Sequence, residues 1–155
     1  MGNIMLDETF EGILNGWDHA IKLYETGEGH PHCAGTWQFM SIALLQNTIK
    51  LDSILDDVES CFWVLYKTAC HSFPFEDPNR PASNMNMFDE HHPQIILGGC
   101  VHFVGGDEKY TVLSQRTIQR IRIKSVPPTS ALHSFADILS CYHDYRNYEN
   151  AKDRT

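Results

Sequence analysis

Gly35-Thr36-Trp37-Gln38-Phe39-Met40-Ser41 and, further on, Asp57-Val58-Glu59-Ser60-Cys61-Phe62-Trp63-Val64-Leu65 decide how this chain is read. The second stretch belongs to the strongest periodic segment, which starts near Asp56. Leu55, Val58, Phe62, Leu65, Tyr66 and Ala69 recur there at helical spacing. Cys61, Trp63 and Val64 make the other faces apolar too, and a helix apolar nearly all round is expected in the middle of a domain. Asp56 or Asp57 is the expected N-cap, its carboxylate favoured at the positive helix end. The helix is expected to stop before Pro74. The first stretch ends in Ser41, whose hydroxyl is suited to cap a short helix through Leu45.

Around these segments, 155 residues suffice for one modest domain with a single core. Hydrophobic content of 42% with 21% charged residues is that of an ordinary globular sequence. A formal net charge of -8 argues against a general binder of nucleic acid or of anionic membrane. Arg116, Arg120, Arg122 and Lys124 form a short basic stripe that reads as a solvated face. Five cysteines, Cys33, Cys61, Cys70, Cys100 and Cys141, are odd in number, widely spread and without a C-x-x-C pair. They read as reduced thiols, and with no signal-peptide pattern at the start they imply an intracellular protein, cytoplasmic or nuclear. The longest apolar run, Phe62 to Tyr66, is far short of a membrane span.

Toward the N-terminus, Ile4-Met5-Leu6 and Ile13-Leu14 flank a polar turn that ends in Gly12, a β-hairpin signal. Prolines and asparagines over residues 74–94 predict an exposed loop region with one helical turn. Residues 95–106 fit a strand or two, or irregular structure. Thr111 to Ile123 is expected to be helical. A last helix is expected over Ser130 to Tyr145, with Leu132, Phe135, Ile138, Leu139 and Tyr142 on one apolar stripe. Cys141 is expected to be a small buried residue beside that stripe, and residues 146–155 a charged, frayed tail.

Taken together, the two quoted stretches resemble the end of the activation segment and the central helix of a protein kinase, in the form found in the fungal-type (basidiomycete-type) protein kinase-like family. The resemblance implies a mainly α fold: the C-terminal lobe of a protein kinase-like domain over residues 1–145, truncated, with a small N-terminal β-hairpin. Gly2-Asn3-Ile4 resembles the end of the catalytic loop, which makes Asn3 a vestigial magnesium ligand and places the catalytic aspartate before Met1. Ile13-Leu14-Asn15-Gly16-Trp17-Asp18-His19-Ala20 resembles the metal-binding motif, with Gly16 where the metal aspartate belongs; Asp18 stands one register off. Gly35, Thr36, Trp37, Phe39 and Met40 fall in the substrate-docking end of the activation segment. Ala43 replaces a glutamate, which removes a buried ion pair. Asp57 and Ser60 fall in the motif that opens the central helix, where the aspartate ties the catalytic loop to the core.

Complete members of such a family use ATP and Mg2+ to transfer phosphate to protein hydroxyls. This sequence carries no glycine loop, no phosphate lysine and no catalytic aspartate, so the resemblance implies a catalytically silent fragment or pseudokinase with no cofactor of its own. The alternative is a scaffold that binds a protein partner through the lobe surface, with self-association through uncovered core surface around Leu65 and Tyr66. Two further constellations carry less. His30-Pro31-His32-Cys33 and the pairs His91-His92 and Cys100-x-His102 lack the spacing that converges on a zinc ion. Cys141 and His143, two apart on a helix, point to different faces and do not form a thiol–base pair. Trp17, Trp37 and Trp63 read as packing residues.

Overall fold

The computed structural model describes residues 4–9, 11–14, 36–47, 49–75, 85–95, 101–118 and 128–152. Over these the chain is mainly helical with two small antiparallel hairpins. Strands β1 (Ile4–Leu6) and β2 (Gly12–Leu14) pair Ile4 with Leu14 and Leu6 with Gly12. Their turn is built by Asp7, whose Oδ1 accepts from the Thr9 amide, the Thr9 hydroxyl and the Glu11 amide, each at 2.8 Å. These bonds, the Thr9 hydroxyl first, hold the Asp7 carboxyl below its ordinary value.

Ser41 caps helix α1 (Ile42–Gln46), accepting from the Leu44 amide at 3.2 Å. The central helix α2 runs over Ile54–Ser72, and Ser53, not Asp56 or Asp57, is its N-cap residue. Its buried stripe is Asp56, Glu59, Phe62, Trp63, Tyr66 and Cys70, positions three or four apart that share one face. The expected all-round burial does not hold. Leu55, Val58 and Leu65 are exposed, and with Ile54 they leave an outer apolar face bare. The inner face is aromatic: Phe62 meets Trp63 at 5.0 Å and Phe135 at 5.3 Å, centroid to centroid.

Within the expected loop region, Met87 and Phe88 are buried by a single 3-10 turn over Asn86–Phe88. Strands β3 (His92–Ile95) and β4 (Val101–Val104) then form the second hairpin, with Ile95 opposite Val101 and His92 opposite Val104. Helix α3 spans Asp107–Ser114, earlier and shorter than the expected Thr111 to Ile123. Gly106, at φ 91, opens it, and Glu90 accepts from its Glu108 amide at 2.9 Å. It ends because Arg116 turns left-handed at φ 52, while the Thr117 amide folds back on the Val112 carbonyl at 2.9 Å.

The last helix, α4, covers Pro128–Lys152 and does not give way to a frayed tail at Arg146. It buries Leu132, Ala136, Leu139, Ser140 and His143, whereas Ile138, assigned to the apolar stripe by spacing, is exposed, and so is Cys141. Arg116 makes an exposed ion pair with Asp137 at 3.9 Å, a contact worth little. Among the described residues, no helix is long and apolar enough to cross a membrane.

Gly105 is the tightest joint of the fold. Its amide donates to the Leu45 carbonyl at 3.0 Å, and a Cβ there would sit 2.5 Å from the Glu90 carbonyl oxygen and 3.1 Å from the Trp37 ring. The backbone oxygen cannot rotate away, so Gly105→Ala is expected to cost about 2 kcal/mol through overpacking. The measurement is the urea midpoint at unchanged slope; an unshifted midpoint would contradict the packing described.

Candidate docking segment and its buried support

Thr36 to Met40 runs across the surface as an exposed threonine followed by a 3-10 turn, Trp37–Phe39, whose residues are half-buried. A single short turn has little stability of its own, and here side chains from elsewhere fix it. Trp37 Nε1 donates to the Glu90 carbonyl at 3.0 Å, and Gln38 Nε2 to Asp89 Oδ1 at 2.6 Å. Lys67 Nζ donates to Gln38 Oε1 at 2.7 Å and lies over the Phe39 and Phe88 rings. Lys109 Nζ reaches up from α3 to the carbonyls of Gln38 at 2.9 Å and Met40 at 2.8 Å.

Lys109 is fully buried, with the Trp63 ring 5.1 Å from its nitrogen. Burial pulls its pKa from 10.5 down to about 7, although the Glu59 and Glu90 charges push the other way. The lysine therefore joins the surface turn to the aromatic core of α2.

Two carboxylates of α2 organise the layer below. Asp56 accepts from Ser41 Oγ at 2.6 Å, from Ser53 Oγ and from Lys50 Nζ. Burial alone would raise its carboxyl, but the bonds from Lys50, Ser41 and Ser53 outweigh that and hold it below its ordinary value. Glu59 is buried more deeply. Its Oε1 accepts from the Ile42 amide at 2.8 Å and Trp63 Nε1 at 2.9 Å, and its Oε2 meets His143 Nε2 at 3.1 Å. One carboxylate thus ties α1, α2 and α4 together.

The sequence expectations map onto this arrangement unevenly. Thr36, Trp37, Phe39 and Met40 do form one held segment. Trp37 and Trp63 pack as expected. Ala43 is buried and brings no carboxylate, but Glu59 supplies one through the amide of the preceding residue, Ile42. Asp57 is exposed and its carboxylate has no hydrogen-bond partner among the described residues; burial, then the charges of Asp52 and Asp56, raise its carboxyl. Ser60 is half-buried, and its hydroxyl likewise makes no hydrogen bond among them. Asn3, Gly16, Gly35, Trp17, Asp18, the His30 to Cys33 cluster and Cys100 lie outside the described residues, as do Arg120, Arg122 and Lys124. Among the described residues no group of three His, Cys, Asp or Glu is placed to hold a metal ion.

Spacing did not find Glu59, His143 or Lys109. A signal for His143 existed: it continues the interval of Leu132, Ala136 and Leu139, the buried line of α4. Behind the Glu59–His143 pair an open groove of about 460 Å³ is lined by Ile42, Gln46, Tyr110, His143, Arg146 and Asn147.

A mainly helical assembly around an aromatic central helix, with a pinned surface turn at its N-terminal side, is the class of protein that this geometry defines. Residues 1–69, from the first hairpin through most of α2, are similar to the family whose model is described as Fungal protein kinase. No curated protein and no solved structure matches the chain.

Proposed function

We propose that residues 1–145 are the helical lobe of a fungal-type protein kinase-like domain, catalytically silent as this chain stands, whose Thr36 to Met40 surface docks protein. The observation that carries the reading is the contrast between two places. The segment that would meet a protein substrate is held by Lys67, Lys109, Glu90 and Asp89. Asp57, whose counterpart in a working kinase anchors the catalytic loop, stands exposed, its carboxylate without a hydrogen-bond partner among the described residues. The first supports a docking role for this surface, and the second supports catalytic silence.

Chemistry agrees with this. Phosphoryl transfer depends on positioned charge: magnesium held by carboxylate and amide oxygens, and a base for the attacking hydroxyl. Gly16 offers no carboxylate at the metal position, and each missing group of this kind costs roughly 3 kcal/mol of barrier. Asn3, the remaining candidate ligand, is a single neutral oxygen, too little for a magnesium ion that demands near-octahedral oxygen coordination.

Calorimetric titration of the 155-residue protein with ATP and magnesium tests the silent half of the reading. The expected result is no saturable heat up to millimolar nucleotide. Magnesium-dependent binding with a sub-millimolar Kd would overturn it.

A further inference from the structure

Arg146 is the cation that the described residues leave over. Lys50 meets Asp56, Lys67 meets Gln38, Lys109 meets two carbonyls and Arg116 meets Asp137, and Lys152 is partnered as well. Among the described residues only Arg146, half-buried, has neither an ion pair nor a hydrogen bond from its guanidinium. It stands three positions after His143 on α4, with Asn147 next to it, so the three share one face of that helix. This face lines the groove of about 460 Å³, together with Tyr110 of α3 and Ile42 and Gln46 of α1. Small-molecule sites have volumes of roughly 300–1,000 Å³.

The groove is rich in donors. The Tyr110 hydroxyl accepts from Asn147 Nδ2 at 2.9 Å, which leaves its own proton to be donated. Gln46 Nε2 is held by Asp107 Oδ1 at 3.0 Å. No lining residue carries a carboxylate, in a chain of net charge -8.

We propose that this groove binds a small organic monocarboxylate. The Arg146 fork takes both carboxylate oxygens, a planar two-bond match that also supplies the missing counter-charge. The Tyr110 hydroxyl donates to the same group, and the apolar body of the ligand lies against the rings of Tyr110 and His143, which meet edge to face at 6.3 Å. Charge selects one carboxylate over a phosphate. Glu59 already stands behind His143, 3.1 Å from Nε2, and Asp107 stands at the rim through Gln46. Arg146 is the only permanent cation in the lining, so it offsets one added negative charge and not two.

Titrating the isotope-labelled full chain with sodium benzoate tests this, followed by NMR through the side-chain amides of Gln46 and Asn147. Saturable shifts are expected with a Kd of about 1 mM, ordinary for a ligand of this size. On the same wild-type protein, benzamide, of like shape but uncharged, and phenyl phosphate should each bind more weakly than benzoate. Arg146→Gln should weaken benzoate roughly tenfold or more, the worth of a charged hydrogen-bonded contact. Arg116→Gln, which alters an exposed arginine already paired with Asp137, should leave it unchanged. Shifts that do not saturate would overturn the proposal. So would benzamide or phenyl phosphate binding as tightly as benzoate, or benzoate binding that survives Arg146→Gln or is lost in Arg116→Gln.

Discussion

Replacing Glu59 with alanine is expected to destabilise the protein by about 3 kcal/mol or more, the usual cost of removing one partner from a buried, hydrogen-bonded polar group. The loss has three parts, because the one carboxylate serves the Ile42 amide, the Trp63 indole and the His143 imidazole. Each is left inside without an acceptor, and buried donors without partners are expensive. Glu59→Gln sharpens the measurement. An amide oxygen can replace Oε1 toward Ile42 and Trp63, but its NH2 group faces His143 Nε2. That NH2 can donate to Nε2 when this nitrogen carries no proton, so the glutamine variant should recover part of the loss. Urea midpoints for wild type and both variants decide the point. An alanine variant within about 0.5 kcal/mol of wild type, the range of ordinary surface changes, would show that Glu59 does not join α1, α2 and α4.

Stability is also expected to rise with pH just above neutrality, because of Lys109. Its folded-state pKa is depressed to about 7 from 10.5, chiefly by burial. Between those values the unfolded chain holds a proton that the folded chain has released, so raising the pH favours the fold. At about 1.4 kcal/mol per pKa unit, the gain from pH 7 to about pH 8.5 is roughly 2 kcal/mol. The structure survives the change, since a neutral amine keeps N–H donors for the carbonyls of Gln38 and Met40. Above that window Cys70 acts oppositely: burial pushes its thiol to about 11, so the unfolded chain loses that proton first. The Lys109→Met variant should lack the rise between pH 7 and about 8.5. A wild-type midpoint that is flat or falling there would contradict the buried ammonium.

Local chemistry made part of this fold legible in the sequence. The first hairpin follows from two short apolar runs around an Asp-led turn, and Asp7 makes the turn bonds. Ser41 caps α1 as its position suggested. The central helix was visible from its period, but its buried face was not, because Leu55, Val58 and Leu65 are as apolar as Phe62 and Tyr66. Only the packing of α4 and of residues 85–88 selects the inward side. Helix α3 was misplaced because its end is set by a left-handed Arg116, a conformation that arginine does not announce.

The Thr36 to Met40 segment was legible as a string of residues, whereas its supports were not. Lys109, Glu90 and Asp89 lie 50 or more positions away and are joined to it by tertiary contacts alone. Glu59 was visible within its motif, yet its part in linking α1 to α4 depends on His143, 84 residues on. Residue pairs that meet only in three dimensions leave no period to read.

The central claim, a kinase-like lobe that docks protein without transferring phosphate, is tested most directly by incubating the 155-residue protein with magnesium and γ-labelled ATP in the presence of a general protein substrate. The account predicts no labelled substrate beyond that found with an Asn3→Ala variant purified in parallel, a control that removes contributions from contaminating kinases. Magnesium-dependent transfer by the wild-type protein that disappears in Asn3→Ala would contradict it.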